Sequence, residues 1–197
     1  MVRPTITIVI GEVGVGKSAV GKLIAKEKNY TYIDKDTATI WLTEQYLRES
    51  SPTKNEHDRE SAFYIETVRP LEYKTILALA LENIELGNSV VLTAWFEIEI
   101  QDENWLHTNP EIIKIRVLAD LHVVMVTVDR QTLLNRLITR NELRDTWKLN
   151  NWDAYLKQIA DTKITWDETD FTKLSFDNSD SIPILYVLKV KNLIKSL

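Results

Sequence analysis

The chain contains no cysteine. That removes disulfides, cysteine metal centres and thiol catalysis at once, and it suits a reducing compartment, so a cytoplasmic setting is expected. No apolar run approaches the length needed to cross a membrane. The N-terminus enters a strand-like run within a few residues, which leaves no room for a signal peptide. An excess of positive charge is also missing: 24 Lys and Arg stand against 29 Asp and Glu, giving a net charge of −5. That balance argues against general attraction to long nucleic acid or to anionic lipid. The three histidines (His57, His107, His122) show no metal-ligand spacing. What is present, 44% apolar and 27% charged residues, is the mixture of a soluble globular domain. At 197 residues, the expectation is one domain over 1–197 with a small mobile segment.

Glycine is scarce too, and its placement is informative. Four of the five glycines (Gly11, Gly14, Gly16, Gly21) lie in one segment. Gly11-Glu12-Val13-Gly14-Val15-Gly16-Lys17-Ser18 spells G-x-x-x-x-G-K-[ST], the P-loop pattern. Upstream, Thr5 to Ile10 is an apolar, β-branched run that reads as a buried strand. Downstream, Ser18 to Lys28 has helical spacing through Val20, Leu23 and Ile24. Strand, glycine loop and helix together form an anion cradle, because inward N–H groups and a helix N-terminus face the phosphates. Gly11 through Ser18 are therefore nucleotide-binding candidates, with Lys17 reaching the β- and γ-phosphates of ATP and Ser18 meeting Mg²⁺.

Beyond that loop, strands and helices alternate. Further strands are expected at Tyr30–Ile33, Ser89–Thr93, Leu121–Val128 and Leu174–Asp177. Helices are expected at about 36–48, 58–67, 71–86, 111–119, 129–140 and 152–159, with another opened by Pro183. Gly87 is a well-placed helix stop. On the C-terminal helix, Leu185, Leu188 and Leu193 are expected to pack on the sheet. Residues 163–172 carry no clear pattern. The fold class is α/β: a three-layer α/β/α P-loop domain with a mainly parallel five-stranded sheet.

Ligands in such sheets lie beyond the carboxyl ends of the strands. Asp34 and Asp36 sit at the end of the second strand and project to one side in an extended segment. Asp34 is the candidate base for an attacking hydroxyl and Asp36 a candidate near Mg²⁺. The plainer reading makes Asp36 a helix cap and Asp34 a solvated loop residue. Arg136, Arg140 and Arg144 are four apart, so a continuing helix would line them along one edge. They read either as a solvated basic face or as a lid around 140–150 that closes on phosphates, with Arg136 on the nucleotide. Trp41, Tyr46, Tyr64 and Tyr73 fall where an acceptor would be covered, and read mainly as packing. His122, inside a strand, reads as a satisfied interior histidine. Arg48, Arg59 and Arg69 are candidates to meet an anionic group of the acceptor, or are surface charges.

Gly11 to Ser18 followed by Ile33-Asp34-Lys35-Asp36 resembles the small P-loop kinases, among them gluconate and shikimate kinases, chloramphenicol phosphotransferase and the kinase domain of polynucleotide kinase. The run Arg136…Arg140…Arg144-Asp145-Thr146-Trp147-Lys148-Leu149…Trp152…Tyr155-Leu156 is similar to a group of bacterial and phage proteins labelled AAA-family ATPases or predicted kinases. The resemblance spans about Thr5 to Leu156. It implies Lys17 on the phosphates, Ser18 on Mg²⁺, Asp34 as base, and Arg140 and Arg144 in a lid. One departure stands out: many members have an Asp at the exit of the third strand, where this chain has Thr93-Ala94-Trp95. A motor ATPase needs that acid, and no guanine-reading Asn-Lys-x-Asp is present. The expected function is therefore transfer of the ATP γ-phosphate to a hydroxyl or phosphate of a small molecule or nucleotide. The alternative is an ATPase or a nucleotide-binding regulatory module without an acceptor.

Overall fold

The computed structural model describes residues 3–179 and 183–197. In chain order the elements are β1 (Thr5–Ile10), α1 (Lys17–Lys28), β2 (Thr31–Asp34), α2 (Lys35–Ser50), α3 (Arg69–Glu85) and β3 (Val90–Thr93). They continue with α4 (Trp105–Thr108), α5 (Pro110–Leu118), β4 (Asp120–Thr127), α6 (Arg130–Arg140), α7 (Thr146–Asn150), α8 (Trp152–Asp161), β5 (Thr172–Asp177) and α9 (Pro183–Lys195). The five strands form one all-parallel sheet in the order β2-β3-β1-β4-β5. Strands buried on both faces explain why β1 and β3 read as continuous apolar runs rather than alternating ones.

Alternation along β1 sorts its side chains between two cores. Ile6, Ile8 and Ile10 face α3 and α5, joining Ile76, Leu77, Ala80, Ile112 and Ile115. Val9 faces the other way, toward Val20 and Ile24 of α1, Leu133 and Leu137 of α6, and Val190 and Leu193 of α9. The result is a three-layer α/β/α fold. From the carboxyl ends of the neighbouring strands β1 and β3 the chain leaves in opposite directions, toward β2 and toward β4. A crevice opens at such a switch point.

Several local expectations need correction. Residues 58–67 do not form a separate α-helix: the chain turns through 59–61, and a π-helical turn, Tyr64–Val68, runs directly into α3. Pro70 accounts for it. It has no N–H for the Glu66 carbonyl, and its ring needs room there, which a wider turn provides. On α9 only Leu193 of the three leucines is buried; Leu185 and Leu188 are exposed. His122 is not satisfied, because its Nδ1 is buried without a partner and burial lowers its pKa. Residues 163–171 are irregular but anchored. Trp166 stacks on Trp105 at 5.3 Å and donates Nε1–H to the Glu99 carbonyl at 2.8 Å.

Candidate active site

The loop from Gly11 to Gly16 takes its shape from backbone that side chains would block. Gly11 has φ 139°, and a Cβ there would lie 2.3 Å from the Val126 carbonyl oxygen. Gly16 precedes α1 at φ 91°, where a Cβ would meet the Asn178 amide nitrogen at 2.4 Å. Between them the Val15 carbonyl accepts from Asn178 Nδ2 at 2.6 Å and Arg136 Nη1 at 3.0 Å. Arg136 Nη2 also donates to the Asn178 carbonyl at 2.8 Å. Arg136 thus braces the loop from behind through two carbonyls.

Lys17 folds over the loop and donates to the Glu12 carbonyl at 2.8 Å. Burial is the main cause that pulls its pKa down to about 8, while Asp36 and Glu12 act in the opposite sense. Glu12 is itself buried, which raises its pKa. A bound polyphosphate would replace that lone carbonyl with full negative charge.

Asp34 is the hub of the site. Its Oδ1 caps α2, accepting from the Thr37 N–H at 2.9 Å. Its Oδ2 accepts from the hydroxyls of Ser18 at 2.9 Å, Thr93 at 2.8 Å and Tyr32 at 3.2 Å. Burial opposes ionisation, but the Thr37 amide and the Thr93 and Ser18 hydroxyls outweigh it, and the pKa is lowered. The cap is therefore Asp34 rather than Asp36. Thr93, the residue found in place of the strand-exit acid, serves as a donor to Asp34.

Asp36 lies one residue into α2 with different neighbours. Lys35 Nζ is 3.0 Å away and Arg144 Nη1 is 2.7 Å away. Burial alone would raise its pKa; the two cations reverse this and hold it far below the ordinary carboxylate range. Lys35 also pairs with buried Glu72 at 2.9 Å.

The three arginines do not share one helix edge. Helix α6 ends at Arg140, where Asn141 takes a left-handed conformation at φ 49°. Asn tolerates that conformation and stops the helix. Arg144 then sits on a 3₁₀ turn, Leu143–Asp145. Consequently Arg136 points to the loop, Arg140 Nε donates to buried Asp145 at 2.8 Å, and Arg144 reaches Asp36.

Lys17, Ser18, Asp34, Asp36, Arg136, Arg140 and Arg144 line one cleft of about 430 Å³, together with Tyr64, Tyr73, Trp95 and Lys148. Trp41 and Tyr46 are exposed residues outside it. Of the three arginines proposed for an acceptor anion, Arg48 pairs with Glu56, and Arg69 is held by Glu99 at 2.7 and 2.6 Å. Arg59 bonds only a carbonyl, that of Glu56 at 2.8 Å, and lies over the Tyr64 ring at 5.2 Å. Sequence reasoning did not find Glu72 or Glu97, because single charged residues give no pattern before the chain folds, and it met Lys148 only inside the Arg144-Asp145-Thr146-Trp147-Lys148-Leu149 run without giving it a role.

Among the described residues, no group of three or more His, Asp or Glu side chains is arranged to hold a metal ion. The adjacent oxygens of Ser18 and Asp34 nonetheless fit Mg²⁺, which binds through few protein oxygens and completes its shell with phosphate and water. Among the described residues, no helix is long and apolar enough to cross a membrane.

Residues 13–173 match the shikimate kinase family. The chain belongs to the shikimate kinase family. It is a small ATP-dependent P-loop kinase, and the match leaves its phosphate acceptor open. Similar solved structures include a sugar kinase from Janibacter sp. at 12% identity, covering 98% of this chain and 93% of that one, with a TM-score of 0.59. A shikimate kinase from Bacteroides thetaiotaomicron is 17% identical over 98% and 97% of the two chains, with a TM-score of 0.55. A gluconokinase from Sinorhizobium meliloti is 17% identical over 100% and 97%, with a TM-score of 0.51. At such identities the likeness concerns the fold. The search of curated proteins gives no match.

Proposed function

We propose that this kinase phosphorylates a hydroxyl of a small molecule carrying an anionic group, with Asp34 on the metal side and Asp36 facing the acceptor. The observation that carries the reading is the Ser18–Asp34–Thr93 hydroxyl–carboxylate network beside Lys17, with Asp36 turned away from it toward Lys35 and Arg144. Asp34 has its lone pairs committed to five donors, among them the Ser18 hydroxyl beside the loop, which fixes its orientation as a partner for Mg²⁺ and its water. The roles expected for the two aspartates from sequence are therefore exchanged. Mg²⁺, when bound, neutralises charge on the β- and γ-phosphates.

In the step itself the acceptor oxygen bonds to the γ-phosphorus as the bond from phosphorus to the β–γ bridging oxygen breaks, releasing ADP. The hydroxyl proton passes to the Asp36 carboxylate. A loose transition state needs little basicity, so orientation of the hydroxyl by Asp36 matters more than its low pKa. Lys17 follows the charge on the phosphates. Arg144 would exchange Asp36 for the transferred phosphoryl group, and Arg140 would join it, as a segment around 140–150 closes. Arg136 supports nucleotide binding by holding the loop. Arg59 supplies the uncommitted cation for the acceptor's anionic group. Shikimate, the hydroxylated carboxylate for which the family is named, is one candidate.

Exchange of each aspartate tests the assignment. Asp36→Asn should lower acceptor-dependent ADP release by roughly 10²-fold or more while ATP–Mg²⁺ still raises the thermal midpoint. Asp34→Asn should instead raise the Mg²⁺ concentration needed for half-maximal rate. The reverse pattern would return the base to Asp34. ADP release at one rate whatever acceptor is offered would favour an ATPase.

A further inference from the structure

Five cations of the cleft are each paired with a carboxylate. Arg69 is paired with Glu99, Lys148 with Glu60 at 2.8 Å, Lys35 with Glu72, Arg144 with Asp36 and Arg140 with Asp145. Asp34 is filled by hydroxyl and amide donors. Among the described carboxylates lining the cleft, Asp34 and Glu97 have no direct cationic partner, and of the two only Glu97 has an oxygen without a hydrogen-bond donor. It is half-buried, and its side chain accepts one hydrogen bond, from the neutral amide of Gln158 on α8 at 2.5 Å. The second oxygen has no donor among the described residues. Burial raises its pKa and Glu60 acts in the same sense, while the Gln158 hydrogen bond, Arg69 and Lys148 oppose it without cancelling it.

The placement of Glu97 is built into the fold. It follows Phe96, a fully buried residue at φ 58° whose N–H donates to the Tyr73 hydroxyl at 3.0 Å. A bulky residue adopts that conformation only when its surroundings impose it. On either side stand Trp95, edge-on to Tyr155 at 6.5 Å, and the exposed side chain of Ile98. Both line the same cleft as Glu97. Apolar surface from Trp95 and Ile98 in the same cleft as a carboxylate with an open oxygen is a place for an ammonium group on a carbon skeleton.

We propose that the acceptor carries a protonated amine, bound by Glu97 between Trp95 and Ile98. The substrate class is thus an amino-bearing hydroxyl compound. This rests on the kinase reading above and deepens it: with Arg59 free for an anion, the fully matched acceptor is a hydroxylated zwitterion.

Matched pairs that differ by the amine test it: serine against glycerate, glucosamine against glucose, and ethanolamine against ethylene glycol, with shikimate as an anion that has no amine. Acceptor-stimulated ADP release is read for the wild-type chain and for Glu97→Gln, which keeps the shape and removes the charge. The amine-bearing members should show roughly tenfold or higher kcat/KM than their twins, the size of a charge-assisted contact. In Glu97→Gln that preference should vanish through a rise in KM, with the ATP–Mg²⁺ thermal shift as in wild type. Equal use of the twins, preference for shikimate, or an amine preference that survives Glu97→Gln would overturn the assignment and leave the kinase reading standing. ADP release that no member raises would overturn both.

Discussion

Lys17 shows how one side chain couples binding to protons. Folding buries it and lowers its pKa from 10.5 to about 8, so near pH 8 about half of the ligand-free protein carries a neutral amine there. Negative phosphates restore the charge, so ATP binding near pH 8 should take up close to half a proton, read by calorimetry in buffers of different ionisation enthalpy. The same shift sets a stability trend. Between pH 8 and 10.5 the unfolded chain binds more protons at this site than the folded one, so its contribution to stability rises with pH across that window. Lys17→Ala should abolish both the proton uptake and the ATP–Mg²⁺ thermal shift; a shift of wild-type size in that variant would place the nucleotide elsewhere.

At the scale of elements, the loop between β1 and α1 is held in place by residues far away in sequence. Arg136 on α6 and Asn178 after β5 share the Val15 carbonyl, and Arg136 also bonds the Asn178 carbonyl. An ammonium cannot reproduce that planar fork. Arg136→Lys should therefore lower stability by about 1 kcal/mol in urea melts and weaken ATP binding more than acceptor binding. Equal loss of both would mean that the bracing is general rather than local to the loop. The π turn before Pro70 is a second element-scale device. It brings Tyr64 to Glu72, with the phenol donating at 2.8 Å, and so fixes one wall of the cleft.

Across the whole molecule, Glu72 ties the acceptor side together. Buried at 3% exposure, it accepts from Lys35, Thr43 and Tyr64, joining α2, α3 and the π turn. Burial would raise its pKa, but Lys35 and the hydroxyl donors lower it below the ordinary 4.5. The stabilisation this represents is complete above the unfolded pKa and is lost as pH falls below about 4.5 toward the folded value. Glu72→Gln should cost about 3–5 kcal/mol near neutral pH by leaving Lys35 without its buried partner, and should flatten the acid limb of the stability profile. A variant that melts like wild type at both ends would remove Glu72 from this role.

The phosphate loop was legible in the sequence because its chemistry is local: three glycines, a lysine and a serine fix a backbone path within eight residues. The parallel sheet was legible for a similar reason, since buried strands must be apolar throughout and helices must repeat at their own period. The different surroundings of Asp34 and Asp36 were not legible. Both lie at one strand end, and only the approach of Thr93 from β3 and Arg144 from beyond α6 distinguishes them. The arginine row failed because a single left-handed Asn141 ended the helix that would have aligned it. Glu97 has no motif at all; its lack of a cationic partner is a property of the finished charge pairing. Sequence by itself thus determined the fold class and the nucleotide loop, where short-range backbone geometry and periodic burial decide. Tertiary structure alone decided which charges are spent on one another and which remain for a ligand, because that depends on side chains brought together from distant parts of the chain.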